Sequence, residues 1–183
     1  MRNSTTLAMI ITVAALTAFA APSLAQRRID AAKQAKSLFD KLPAARGETA
    51  AKVEEQIATL ATDLMYMDQV QPVLVKQLSS RNTRQRATAA RLLRYVFSGG
   101  AIAPLTRTIA KDRSADVRVE AVTSLCILKA DEAAGALRTV STGDRNEKVR
   151  ASAKAALDVI ENREGARKAG CRRALQRRMA AIL

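Results

Sequence analysis

Lys111-Asp112-Arg113-Ser114-Ala115-Asp116-Val117-Arg118 and Thr142-Gly143-Asp144-Arg145-Asn146-Glu147-Lys148-Val149-Arg150 are two copies of one pattern. In each, an Asp precedes an Arg by six residues and a Val-Arg pair closes the stretch. Arg118 and Arg150 are 32 residues apart, and Arg86 lies 32 before Arg118. Self-similarity at a period of about 20–50 residues marks an array of stacked units. The same ruler governs the residues downstream of each Arg. Ala89, Ala121 and Ala153 come three residues on, then Leu93, Leu125 and Leu157, then Val96, Leu128 and Ile160. Steps of three and four place these side chains on one face of a helix.

Each of these helices has a start signal. Asn82, Ser114 and Asn146 keep the period, and all three are residue types whose side-chain oxygens accept from free N–H groups of a first turn. Gln85, three after Asn82, is placed for a capping box. A shorter helix precedes each. Pro72 and Pro104 suit a first turn. Behind them run the apolar sets Val73, Leu74 and Leu78, then Leu105 and Ile109, then Leu137 and Val140. A fainter copy lies upstream. Leu42 and Val53 fall on the ruler, Pro43 and Gly47 mark a turn, and Ile57, Leu60 and Leu64 extend an apolar face. Glu54 stands where the Arg belongs, so this terminal unit is degenerate.

These motifs resemble the HEAT-repeat family, and more closely its short form related to phycobilin-lyase repeats. The resemblance covers about residues 34 to 162. It implies an all-α chain, a short α-solenoid of HEAT-like helix pairs, with the second helix of each pair on a concave face. It also implies that the Asp of each pattern hydrogen-bonds across neighbouring repeats, which makes Asp112, Arg118, Asp144, Arg150 and Arg86 a structural ladder. The first strong repeat departs, with Ser80 in the Asp position. The expected organisation is a signal peptide at 1–25, N-terminal helices with a degenerate repeat at 26–66, three repeats at 67–162 and a basic capping helix at 163–183.

The expectation of export rests on the first 25 residues. Arg2 is succeeded by an apolar run of 15 residues, Leu7 to Ala21, and then by Ser23-Leu24-Ala25 with small residues where a signal peptidase reads. The run is shorter than the roughly 20 apolar residues of a membrane span. Cleavage after Ala25 gives a periplasmic or secreted protein, with no transmembrane span expected in the mature chain. Gln26 rather than Cys stands after the cut, which disfavours a lipid anchor there.

The net charge is +14, and Arg2 accounts for one unit, so the mature chain carries +13. Residues 163–183 hold seven bases against the single acid Glu164. Such an excess favours an acidic partner. An acidic envelope protein is the expected partner, with anionic lipid or polymer as the alternative. Cys171, Leu175, Met179 and Ile182 form one apolar stripe there, and Arg167, Lys168, Arg172, Arg173, Arg177 and Arg178 supply the charge. This segment reads either as a solubilising cap or as a basic amphipathic binding helix. Within the array, Arg84, Arg91 and Arg94 project between core positions and form a second candidate partner-binding patch.

Several chemistries are disfavoured. The chain has no His, which removes Ser-His-Asp and Cys-His nucleophiles and the commonest metal ligand. There is no Gly-rich phosphate loop. Catalytic, cofactor-binding and metal-ligating residues are therefore expected to be none, and the chain is read as a non-enzyme. The mature aromatic residues are Phe39, Tyr66, Tyr95 and Phe97, too few for base stacking, so nucleic acid is a disfavoured partner. Cys126 aligns with Arg94 and Asp158 and is expected to face outward, far from Cys171 along the array. A bridge needs Cα atoms within about 7 Å, so an intramolecular disulfide is disfavoured.

Overall fold

A computed structural model describes residues 23–96 and 99–161. These form eight α-helices and no strand among the described residues. In chain order they are α1 (Leu24–Lys41), α2 (Gly47–Thr62), α3 (Met67–Gln77), α4 (Thr83–Leu92), α5 (Ile102–Lys111), α6 (Ala115–Leu128), α7 (Ala134–Gly143) and α8 (Glu147–Glu161). Short 3₁₀ turns at Leu93–Tyr95, Gly99–Ala101 and Asp131–Ala133 tighten the connections.

The helices pair as the period requires. Each odd-numbered helix is the first of a pair and each even-numbered helix the second. α1 packs on α2 and α3, and α5 on α6 and α7. The second helices stack on one another, α4 on α6 and α6 on α8, with α2 touching α4. One continuous core results, from Phe39 and Leu42 at one end through Leu74, Leu93, Leu105 and Leu125 to Leu137, Leu157 and Ile160. A two-helix unit has no partner for its outer apolar side, so each unit borrows its core from the next.

The ends of the second helices show why the period is kept. At α4, the Asn82 Oδ1 accepts from the N–H groups of Arg84 (3.0 Å) and Gln85 (3.2 Å). At α8, Asn146 Oδ1 accepts from Val149 N–H at 3.3 Å. At α6, Ser114 makes no side-chain cap. There the Asp two residues earlier organises the turn, with Asp112 Oδ1 accepting from Ser114 N–H at 2.8 Å. Asp144 does the same for Asn146 at 2.8 Å.

Four expectations are corrected. Gln85 closes no capping box: its amide donates to the Phe39 carbonyl, and Asn82 N–H is met by Ser80 Oγ at 3.1 Å. Pro72 lies inside α3, which starts five residues earlier at Met67. The Pro ring therefore leaves the Asp68 carbonyl without its helical donor. Leu64 does not extend the apolar face of α2, because that helix ends at Thr62 and the next turn leaves Leu64 78% exposed. Cys126 faces inward at 2% exposure, since the tight stack of α6 on α4 and α8 covers more of the second helix than a single stripe.

Two residues adopt positive φ. Gly47, at φ 49°, opens α2 after the Pro43 turn. Lys129, at φ 52°, ends α6 in the left-handed region, with Ala130 N–H donating to the Leu125 carbonyl at 3.1 Å. This is the helix stop usually given to Gly.

Candidate interaction surface and the arginine ladder

The repeated Arg of each second helix is not a surface charge. Arg86 and Arg118 are each 4% exposed. A guanidinium taken out of water must be paired, and the pairing here crosses the repeat boundary. Arg86 donates from Nε to Asp112 Oδ2 at 2.7 Å and from Nη2 to Asp112 Oδ1 at 3.1 Å. Arg118 repeats this on Asp144, at 2.7 and 2.8 Å. The remaining nitrogen, Nη1, donates to a carbonyl six residues earlier in the same repeat: Ser80 for Arg86 (3.0 Å) and Asp112 for Arg118 (2.8 Å). Two parallel charge-assisted bonds fix the guanidinium plane against the carboxylate. Each Asp thus caps its own helix turn and clamps the Arg of the preceding repeat.

The Arg118 guanidinium, hydrogen-bonded to Asp144, holds that carboxyl below the ordinary aspartate range; the Asn146 N–H adds to the effect and burial opposes it. Arg150 carries the first half of the same arrangement. Its Nη1 donates to the Asp144 carbonyl at 2.7 Å. Among the described residues no carboxylate meets its Nε and Nη2 edge.

The first strong repeat solves the problem differently. Its Asp position holds Ser80, whose hydroxyl donates to Gln85 Oε1. The missing partner for that rung would be residue 54, which is Glu. Neither the Arg nor the Asp of a ladder rung is present at this boundary. Glu54 instead accepts from Arg84 Nε at 2.9 Å and from Arg91 Nη2. Arg84 also donates to the Ala45 carbonyl at 3.1 Å. The helix α2 is thereby tied to α4 by an ion pair of opposite polarity to the ladder.

The sequence-derived patch of Arg84, Arg91 and Arg94 is accordingly not one open basic surface. Arg84 and Arg91 share Glu54, with side chains 39% and 26% exposed. Arg94 is buried at 3%, where Nε donates to the Arg91 carbonyl at 2.7 Å and Nη2 to Glu120 Oε2 at 2.9 Å. The residues Arg167, Lys168, Arg172, Arg173, Arg177 and Arg178 lie outside the described residues, as does Cys171.

A second periodic feature escaped the sequence reading. Arg113 Nη2 donates to the Arg81 carbonyl at 2.8 Å and Arg145 Nη2 to the Arg113 carbonyl at 3.0 Å. Arg81, Arg113 and Arg145 share the 32-residue ruler and are exposed. Their common spacing was the available signal.

Among the exposed charges of the second helices runs one small apolar register. Ala87, Val119 and Ala151 occupy one register position and are partly or fully exposed. Arg84, Asp116 and Lys148 flank them one turn back. Between α6 and α8, Ala115, Asp116, Val119, Asn146, Glu147 and Lys148 line a groove of about 310 Å³. No metal-holding group of three or more His, Cys, Asp or Glu exists among the described residues. No described helix is long and apolar enough to cross a membrane.

Stacked helix pairs with a shared core, joined by a cross-repeat arginine–aspartate ladder, define an α-solenoid. Residues 71–158 match the family of HEAT repeats, and the chain is a HEAT-like repeat protein over that span. Proteins built of such repeats generally serve as protein-interaction scaffolds. No curated protein matches the chain at a significant level.

Proposed function

We propose that the chain is exported and works in the cell envelope as a non-catalytic scaffold that holds a partner protein on the face of its second helices. The observation that carries this reading is the row Ala87, Val119 and Ala151. It offers one small apolar contact in each of the three strong repeats, flanked by charges, on a stack whose ladder arginines Arg86 and Arg118 are paired internally. Such a surface can be approached closely and buries apolar area on docking, while its rim selects orientation. Export is supported by the apolar run Leu7–Ala21 and the small residues before Gln26.

The test is a pull-down from an envelope extract with residues 26–183, washed at low and at high salt. At about 1 M salt the Debye length is about 3 Å and charge-only contacts are screened. A protein retained at stoichiometric amount by the parent chain, and lost with Val119→Glu, supports the scaffold. Retention unaffected by that change sinks the proposed face.

The seven bases of residues 163–183 favour a second reading, an electrostatic binder of anionic lipid or envelope polymer. Removal of residues 164–183 separates the two. The scaffold keeps its protein partner, whereas the electrostatic binder loses a ligand that salt also releases.

A further inference from the structure

Among the described residues the ladder has two closed rungs and one open one. At Arg86 and Arg118 the guanidinium is held by its Nη1 on a carbonyl six residues earlier, and its Nε and Nη2 clasp the carboxylate of the next repeat. At Arg150 the Nη1 bond is already made, at 2.7 Å. The guanidinium is therefore fixed in the orientation that receives a carboxylate, and no further described repeat supplies one. Pre-organisation of this kind lowers the ordering cost of binding.

The surroundings say what would fill the rung. Arg145, Lys148 and Lys154 are exposed near Arg150, on the same turn and helix. Beyond Glu161 the sequence offers one acidic side chain, Glu164, against seven bases. Glu164 lies outside the described residues; from Arg150 to Glu161, where α8 ends, runs about 16 Å of helix at about 1.5 Å per residue. Glu147, one turn back on the same helix, and Asp158 are exposed acids of α8, and neither pairs with Arg150 among the described residues; the nearby bases Arg145, Lys148 and Lys154 outnumber them, so the local field attracts a carboxylate from outside.

We propose that Arg150 is a carboxylate receptor at the C-terminal end of the array, and that it takes an aspartate or glutamate of an acidic partner protein as the next rung. This deepens the scaffold reading, on which it rests for the nature of the occupant. It gives the partner a required chemistry, an exposed acidic side chain, and gives the docking a register.

The probe is a short poly-aspartate peptide, and the protein is residues 26–183. The Nε–H signals of the arginines are monitored by NMR during titration, and affinity is measured by calorimetry. The expected result is a saturable downfield shift of the Arg150 Nε–H. Arg150→Gln and Arg150→Lys should both weaken binding about tenfold, as loss of a charge-assisted pair implies. Lys keeps the charge but not the fork, so its loss isolates the bidentate geometry. Arg138→Gln, which removes an exposed pair with Glu161, should change little. Three results overturn the proposal. The first is Arg150→Lys binding like the parent, which leaves only general electrostatics. The second is a peptide that shifts Arg145, Lys148 and Lys154 while leaving the Arg150 Nε–H unmoved. The third is a shift of the Arg150 signal on Glu164→Gln alone, before any peptide is added, which means that the rung is filled within the chain. An envelope pull-down that retains no protein, with the peptide still seated on Arg150, fails the scaffold reading and leaves the receptor standing.

Discussion

Replacing Arg118 by Met tests the ladder directly. The arginine is 4% exposed and makes three bonds: two to the Asp144 carboxylate and one to the Asp112 carbonyl. Met fills part of the volume but pairs with neither. Breaking a buried ion pair from one side costs about 3–5 kcal/mol, because the other charge is left uncompensated. Asp144 keeps its bond from Asn146 N–H at 2.8 Å, so the lower end, about 3 kcal/mol, is expected. That is a large share of the roughly 5–15 kcal/mol typical of a domain. The loss falls on the contact between α5–α6 and α7–α8. In a nearest-neighbour array a weakened interface uncouples the unit beyond it, so urea unfolding tracked by circular dichroism should split into two phases. The pH dependence gives a second reading. The carboxyl of Asp144 titrates below its unfolded value in the native protein, which is about 3.9 for an aspartate. Between those two values the unfolded chain binds more protons. The stabilisation is therefore fully present above about pH 4 and is lost as pH falls through the native pKa. Arg118→Met should remove this acid-linked loss. A single unfolding phase with a change under about 1 kcal/mol, and an unaltered acid limb, would refute the view that the ladder couples the repeats.

The same packing sets the outcome of other perturbations. Val117→Asp puts an unpaired carboxylate at a fully buried position and should lower the melting temperature steeply, by the equivalent of about 3 kcal/mol or more; an unchanged melting temperature would show that the register is wrong. Lys129→Gly relieves a left-handed φ of 52° and should stabilise by about 1 kcal/mol in urea titrations, since that conformation costs an L-residue about 1–2 kcal/mol. Glu54→Ala frees Arg84 and Arg91 from their shared acid and should raise the salt needed to elute the protein from a polyanion column, while lowering stability. Elution at the parent's salt concentration would mean that these two arginines do not reach the surface even when released.

The fold was legible because period and helical spacing are properties of one dimension. Arg86, Arg118 and Arg150 fix the ruler, and the residues three, seven and ten places later fix the face. The pairings within the ladder were less legible. Asp and Arg sit six apart in sequence, yet the side-chain bond joins Arg86 to Asp112 and Arg118 to Asp144, each 26 residues apart. Arg84 and Arg91 looked free because their acid is 30 and 37 residues upstream. Cys126 looked exposed because its register neighbours are charged. Its burial depends on how closely α6 is clasped by both neighbours, which no single helix pattern encodes.

The departures in the first strong repeat have one physical origin. A rung needs an Arg in one repeat and an Asp in the next. With Glu at 54, an Asp at 80 would face a carboxylate, and two like charges at a poorly solvated boundary repel. Ser80 avoids this, still supplying an oxygen to Asn82 N–H and thus the turn-organising half of the Asp role. Glu54 then needs cations, and Arg84 and Arg91 on α4 provide them. The N-terminal boundary is therefore closed by an acid reaching into bases, whereas the interior boundaries are closed by bases reaching into acids. This inversion makes the array polar along its length. Its N-terminal unit has no ladder arginine to offer and its last described unit has one unspent, Arg150. Among the described residues, then, the ladder's unmatched cation stands at the C-terminal end, and that is the end at which the proposed docking of a partner's acid would extend it.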